Sequence, residues 1–271
     1  MEKEQDYLAN GFQNVDGQNS VEKFKTCLTF VDSLPSFQRY KKVTDELLAF
    51  DQGVHFADIG CGLGFDVERI ARKISGNVVG IDASQELLRE ARTRVKAAGL
   101  SNASFVSGDA RNLKMQDGSF DGARTDRALQ HIDNPHLAVA EMGRIVRRHG
   151  TIVCAEPDWG SFLIDDDRTE CVRAVSEEWV SQFKNPHIGR RLPRMMHSLG
   201  FTDLEIRGEL LVTSGIDQVN LVFDVEKTCE RLDRKLGSSK FVSWYEELRL
   251  RDRSSPVFVG VTLVIVAGRK G

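Results

Sequence analysis

The sequence predicts an α/β fold built on a doubly wound, mostly parallel sheet with helical cap insertions. Three observations carry this expectation. Between residues 55 and 155, short apolar runs of strand length alternate with segments of helical period. A glycine-rich loop, Gly60-Cys61-Gly62-Leu63-Gly64, joins the first run to the first helical segment, where such a sheet places its ligand crevice. The chain has 271 residues, 41% hydrophobic and 28% charged, which is enough to bury a large core.

The elements follow in order. Residues 20–50 read as helices. Val21, Phe24, Leu28 and Val31 recur at helical spacing, and Val43, Leu47 and Phe50 repeat it after a break at Pro35. Residues 55–59 form a strand, 66–74 a helix and 77–81 a second strand. Ser84 then caps a helix running to about residue 98, because its hydroxyl can accept from an otherwise unpaired N–H of the first turn. Residues 103–106 and 119–125 are further strands, 135–146 a helix with Pro135 in its first turn, and 151–155 a fifth strand. This rhythm requires right-handed crossovers with helices on both faces of a parallel sheet.

The rhythm then breaks. Residues 158–189 are polar, partly helical and too long for a tight connection. A helix over 190–199 stops at Gly200, which suits the left-handed position just past a helix end. Residues 202–212 and 256–266 are two final strands separated by a charged helical stretch, 218–248. The expected organisation is an N-terminal helical lid over residues 1–50 and one α/β domain over 51–271, with cap insertions near 158–189 and 215–250.

Composition excludes several classes. A net charge of −3 argues against a protein held to nucleic acid by phosphate contacts. No apolar run reaches the roughly 18–20 residues that span a bilayer. The acidic, polar N-terminus does not read as a secretory signal. Cys27, Cys61, Cys154, Cys171 and Cys229 lack paired spacing, which argues against a disulfide framework or structural zinc and points to reduced thiols in the cytoplasm.

The glycine loop selects among ligands. A dinucleotide loop spaces its glycines G-x-G-x-x-G and rests a pyrophosphate on the helix N-terminus. Here the spacing is G-x-G-x-G, with Asp58 before the loop and Asp66 in the first helical turn, so a cationic group is the better match. Asp82 ends the second strand and can accept both hydroxyls of a ribose. Asp109 follows the third strand and can accept from an exocyclic amine, while the Ala110 N–H can meet a ring nitrogen. Together these describe an adenosine bearing a cationic, amino-acid-like tail. Each aspartate taken alone is also an ordinary loop-end or helix-capping carboxylate.

On these residues the chain resembles the class I S-adenosylmethionine-dependent methyltransferases. The matching segments are ADIGCGLG, VVGIDAS, FVSGDAR, SFDGARTDRALQHI and GTIVCAEPDW, across residues 54–160. The resemblance implies a seven-stranded Rossmann-like sheet whose last strand runs antiparallel, S-adenosylmethionine as cofactor, and no metal. It implies Gly60 and Gly62 beside the methionine and ribose, Asp82 on the ribose hydroxyls, and Asp109 with Ala110 on the adenine. The main chain from Thr125 to Arg127 would take the methionine amine. In the lid, Tyr40 and its neighbour Arg39 are placed to close over the cofactor.

The methyl acceptor is less defined. His131, after the fourth strand, is the first candidate for a general base, since imidazole titrates near neutrality. A histidine here also packs the turn before Asn134-Pro135. Glu156, Asp158 and Trp159 either orient a substrate or serve as a loop cap and a core tryptophan. Asp165-Asp166-Asp167 lacks the spacing of a calcium loop and reads as a solvated helix start. His187, Arg190, Arg191 and Arg194 read as a solvated basic helix face. No Asn-Pro-Pro-Tyr tetrapeptide follows the fourth strand, and no nucleic-acid module is visible. The caps suit a small molecule shielded from water. The matching segments are similar to those of enzymes that methylate quinones, polyketides and other secondary metabolites. The expectation is a small-molecule methyltransferase, with O-methylation favoured and N- or C-methylation open, and with homodimer formation left open. The alternatives are a non-catalytic S-adenosylmethionine-binding regulatory protein and, against the glycine spacing, a nicotinamide oxidoreductase.

Overall fold

The computed structural model describes residues 7–48 and 53–271. Phe50 and the expected lid boundary at 50–51 therefore lie outside the described residues. The helices are α1 (Leu8–Gly11), α2 (Val21–Ser33), α3 (Pro35–Leu48), α4 (Phe65–Ala71), α5 (Gln85–Ala97), α6 (Pro135–Ile145), α7 (Thr169–Val180), α8 (Ile188–Ser198), α9 (Ile216–Phe223), α10 (Val225–Leu236) and α11 (Lys240–Asp252). The strands are β1 (Phe56–Ile59), β2 (Val78–Asp82), β3 (Ala103–Ser107), β4 (Phe120–Asp126), β5 (Val146–Ile164), β6 (Phe201–Ser214) and β7 (Phe258–Lys270).

The strands form one seven-stranded sheet in the order β3-β2-β1-β4-β5-β7-β6, with β7 antiparallel to both its neighbours. This is the Rossmann-like sheet that the sequence predicts. The chain winds from β1 out to β3, then returns to lay β4 on the other side of β1. That reversal opens a crevice at the carboxyl ends of β1 and β4. Apolar residues alternate between the two faces. Ile152 and Cys154 of β5 pack in a core with α6 and α8, whereas Val153 and Ala155 pack in the core that holds α4, α5 and the caps.

Local chemistry sets the helix ends. The Ser84 hydroxyl accepts from the Leu87 N–H at 3.1 Å and starts α5. Gly200 lies beyond α8 in the left-handed region, at φ +83°. Two strands run longer than the sequence reading: β7 continues past residue 266 to Lys270, and β5 begins at Val146 and does not stop at residue 155 but continues to Ile164. Glu156, Pro157 and Asp158 stay in register with β7, and after an irregularity Leu163 and Ile164 rejoin it. The long apolar β7 offers ladder partners well past residue 155, so the expected 158–189 insertion begins as strand and turns helical only at Thr169.

The caps form a layer over the crevice. The Tyr7 hydroxyl meets Thr228 Oγ1 at 2.7 Å, the Leu8 N–H donates to Asp224 Oδ2 at 2.8 Å, and Lys23 Nζ pairs with Asp224 at 2.8 Å. These bonds join the N-terminal helices to the α9–α10 junction. Among the described residues no helix is long and apolar enough to cross a membrane.

Candidate functional site

A cavity of about 650 Å³ opens at the crevice and runs up under the caps. Gly60, Gly62, Asp82, Asp109, Ala110, Arg127 and His131 all line it; Tyr40 does not. The loops after β1, β2, β3 and β4 all contribute, so the carboxyl edge of the sheet builds the cavity floor.

The glycine loop is shaped by contacts that a side chain would break. Gly60 sits at φ +76°, and a Cβ there would lie 2.5 Å from the Ala128 Cβ. At Gly64, at φ +73°, a Cβ would lie 2.9 Å from Ala91 of α5 and from Phe105 of β3, which is the close helix–strand packing its position suggests. Asp82 is held rigidly. The Gly62 N–H donates to its Oδ2 at 2.8 Å and the Ser84 N–H to its Oδ1 at 2.9 Å, while burial pushes its carboxyl above the ordinary range. A carboxylate has about four acceptor positions, so two remain for hydroxyls on the cavity side. The lid reaches this point: the Asp16 carboxylate accepts from the Gln85 N–H at 2.8 Å and from the Ser84 hydroxyl, at the N-terminus of α5.

Asp109 stands at the exposed rim. Arg111 binds it in a forked ion pair, with the closest contact 2.7 Å, and the guanidinium holds the carboxyl below its usual range. Arg127 adopts φ +53°, unusual for a residue with a side chain. Its N–H donates to the Ala155 carbonyl at 2.8 Å, its carbonyl accepts from Gln130 Nε2 at 2.9 Å, and its guanidinium lies 4.9 Å over the Phe37 ring. Glu156 is fully buried and accepts from the N–H groups of Ala128, Leu129 and Gln130 at 2.9, 2.7 and 3.3 Å, with burial pushing its carboxyl up to about 8. It is the loop cap of the plainer expectation. Asp158 pairs with Arg190 and leaves the cavity to Trp159.

Two placements correct the sequence reading. Tyr40 is fully buried and its hydroxyl donates to both Asp126 oxygens at 3.0 Å, so it acts on a neighbour of the cavity instead of lining it; Arg39 points outward and is exposed. Asp58 and Asp66 line the cavity, but their charges are engaged by cations of the protein itself. Arg124, inside β4 and fully buried, lies 3.7 Å from Asp58, 2.6 Å from Asp66 and 2.7 Å from Asp126. Lys41 of α3 also reaches Asp66, at 3.3 Å. This charge cluster ties the lid, the glycine loop and β4 together. Sequence reasoning missed Arg124, although an arginine in a strand buried on both faces demands carboxylate partners, and Asp58 is its register neighbour on β1.

His131 lies at the cap end of the cavity. Its ring packs 5.6 Å from those of both Phe12 and Phe183, its Nδ1 is buried, and burial together with the charges of Arg127 and Lys184 pushes its pKa down to about 3. The imidazole is therefore neutral at physiological pH. Trp159, Trp179, Phe183 and Phe223 complete an aromatic wall, and Trp159 donates from Nε1 to Gln130 Oε1 at 2.7 Å. Trp179, Phe183 and Phe223 come from segments whose sequence offers no motif. Among the described residues no group of three or more His, Cys, Asp or Glu could hold a metal ion.

The structure thus combines a Rossmann-like sheet with a switch-point cavity, a glycine loop, an acidic strand end and an aromatic cap. Residues 56–150 match the methyltransferase domain family. An uncharacterized 37.1 kDa protein in transposon TN4556 of Streptomyces fradiae is 34% identical over 235 residues, covering 85% of this chain and 66% of that protein. A demethylmenaquinone methyltransferase of Geobacillus kaustophilus is 24% identical over 206 residues, covering 69% of this chain and 88% of that protein. The YcgJ protein of Bacillus subtilis shares the fold with a TM-score of 0.64 at 17% identity, covering 86% of this chain and 98% of that one. The chain therefore carries a methyltransferase domain, with S-adenosylmethionine as its cofactor.

Proposed function

We propose that the chain binds S-adenosylmethionine between the glycine loop and the strand ends and transfers its methyl group to a small apolar molecule held under the caps, preferably to an oxygen atom. The observation that supports this most directly is that one cavity is lined at the strand ends by Gly60, Asp82 and Ala110 and under the caps by His131 and Trp159. Bound there, S-adenosylmethionine supplies a methyl group made electrophilic by its sulfonium. The chain's own residues position it. Asp82 accepts from the ribose hydroxyls, Ala110 and Asp109 border the adenine, and the strained turn at Arg127 presents main chain to the methionine end. The caps exclude water and hold the acceptor in line, which is where most of the rate gain in such a displacement arises. Incubating the protein with S-adenosylmethionine and a panel of phenols, enols and amines tests the reading by mass spectrometry. The expected result is a gain of one CH2 on an oxygen-bearing acceptor; no methylated product from any of them would count against it.

In this reading His131 orients the acceptor by hydrogen bonding and takes no proton; the acceptor reacts as its phenolate or enolate, so the O–CH3 bond forms as the S–CH3 bond breaks and S-adenosylhomocysteine leaves. Two results are expected. The pH profile of turnover carries no inflection near the free-histidine value of about 6.5. His131→Gln lowers turnover with cofactor affinity unchanged; an unaltered rate would reduce His131 to packing. The same burial has a stability consequence. The unfolded chain takes up a proton near pH 6.5 that the folded chain refuses down to a pH of about 3, so His131 makes stability fall as pH drops through that window. Denaturation of the wild type and His131→Gln at pH 7 and pH 5 should show a smaller acid-induced loss in the variant.

The Asp16 contact gives a further expectation. Asp16→Ala removes a cap from α5 and the bond that draws the lid onto the Asp82 end. It should cost about 1 kcal/mol of stability, measured by urea unfolding. Cofactor release followed by stopped-flow fluorescence should be faster than in the wild type.

A further inference from the structure

The sheet has two edges, and they are protected differently. Strand β3 closes one end with five residues, too short to offer another chain much of a ladder. Strand β6 closes the other with fourteen residues, none of them proline or lysine. Over residues 205–210 this strand is open on both faces as well as along its edge. Glu205, Ile206, Arg207, Gly208 and Leu210 are exposed and Glu209 is half-buried, with Ile206 at 52% and Leu210 at 48%. The strand's far end is covered, since the Ser36 hydroxyl of α3 donates to the Val212 carbonyl at 3.3 Å. Side chains alternate along the open stretch, so Ile206, Gly208 and Leu210 share one face and Glu205, Arg207 and Glu209 the other. Arg207 pairs with Glu205, and Glu209 has no ion pair among the described residues. Gly208 lies outside the left-handed region, and a Cβ there would meet no atom within 4 Å. Nothing within this chain therefore calls for a glycine at mid-strand, where it weakens the strand and often marks the close approach of another backbone.

We propose that β6 pairs with the β6 of a second copy of this chain, antiparallel about a two-fold axis at Gly208, so that two seven-stranded sheets continue as one. In that register Ile206 lies opposite the partner's Leu210 and Arg207 opposite the partner's Glu209, and the symmetry makes each pair twice. The exposed apolar residues gather over the two glycines on one face, and on the other each arginine meets a carboxylate that lacks a cation. Opposite charges and apolar residues placed directly across a ladder stabilise it, whereas like charges destabilise it. Other registers fail on that rule. An axis at Arg207 sets that arginine against itself and Glu205 against the partner's Glu209. An axis at Ile206 sets Asp203 against the partner's Glu209, and an axis at Glu209 sets that carboxylate against itself. The alternating signs of Glu205, Arg207 and Glu209 thus complement a second copy of the same strand, and the pairing is independent of what the cavity binds.

Sedimentation velocity of the full chain across micromolar concentrations tests the proposal. The expected mass is twice the 30.4 kDa of the chain, and a monomer at every concentration would overturn it. A charge swap then locates the interface. Arg207→Glu alone, or Glu209→Arg alone, sets like charges opposite at two points and should weaken the dimer about tenfold, whereas the double variant restores opposite signs and with them the affinity. A dimer that neither single substitution weakens, or that the double variant does not restore, would overturn the register and the proposal with it. Hydrogen exchange provides a reading that needs no variant. In the wild-type dimer, the alternate amides over residues 205–210 that β7 leaves unpaired should be protected by the partner strand; rapid exchange of those amides in a dimeric sample would place the interface elsewhere and overturn the proposal.

Discussion

Arg124→Met is expected to destabilise the protein by about 3–5 kcal/mol, the cost of leaving buried charges without their partner. The guanidinium is fully buried and faces three carboxylates, from the end of β1, the first turn of α4 and the end of β4. With it in place, Asp66 stays well below the ordinary carboxylate range. Without it, Asp58, Asp66 and Asp126, whose side chains are only 3%, 11% and 6% exposed, repel one another with little water to screen them, and Lys41 and Arg69 are left to compensate for Asp66 alone. Chemical denaturation reads the loss directly. A double-mutant cycle with Asp66→Asn separates the pair from the remaining cluster, with coupling above about 0.5 kcal/mol expected for residues in contact. An Arg124→Met protein as stable as the wild type would show that the cluster holds nothing together.

The second large effect falls on binding. Asp82→Ala should weaken S-adenosylmethionine by roughly 2–3 kcal/mol, the scale of losing a charged hydrogen-bond partner. That corresponds to about 30- to 150-fold in the dissociation constant. The substitution also removes the acceptor for the Gly62 and Ser84 N–H groups, so part of the loss comes from a looser glycine loop. Asp82→Asn keeps one acceptor oxygen and separates the two contributions: it should recover some of the affinity. Unchanged affinity in Asp82→Ala would refute the ribose assignment.

The fold was legible because its signals are local and periodic. Strand-length apolar runs, a serine cap at Ser84, a glycine just past α8 and the loop from Gly60 to Gly64 each act over a few residues, and each appears where those residues place it. Strand β5 was read short because its extension depends on a partner about a hundred residues away, the long β7, and no local feature near Asp158 announces it. The site divides the same way. Gly60, Gly62, Asp82, Ala110 and His131 sit at strand ends whose positions follow from the topology, so sequence order alone brings them to one cavity. Tyr40 was misjudged because its reach depends on how α3 packs, and α3 turns it inward onto Asp126. The preference for a cationic ligand drawn from Asp58 and Asp66 ignored a cation from β4 that only the strand register brings beside them. The aromatic wall at Trp179, Phe183 and Phe223 comes from the caps, where ordinary core residues and acceptor-lining residues have the same composition.

The central claim is that the glycine loop and Asp82 hold S-adenosylmethionine and not a dinucleotide. Isothermal titration calorimetry of the purified protein with S-adenosylmethionine and, separately, with NADH tests it most directly. One-to-one binding of S-adenosylmethionine with no heat from NADH is the predicted result. Binding of NADH with none of S-adenosylmethionine would contradict the account.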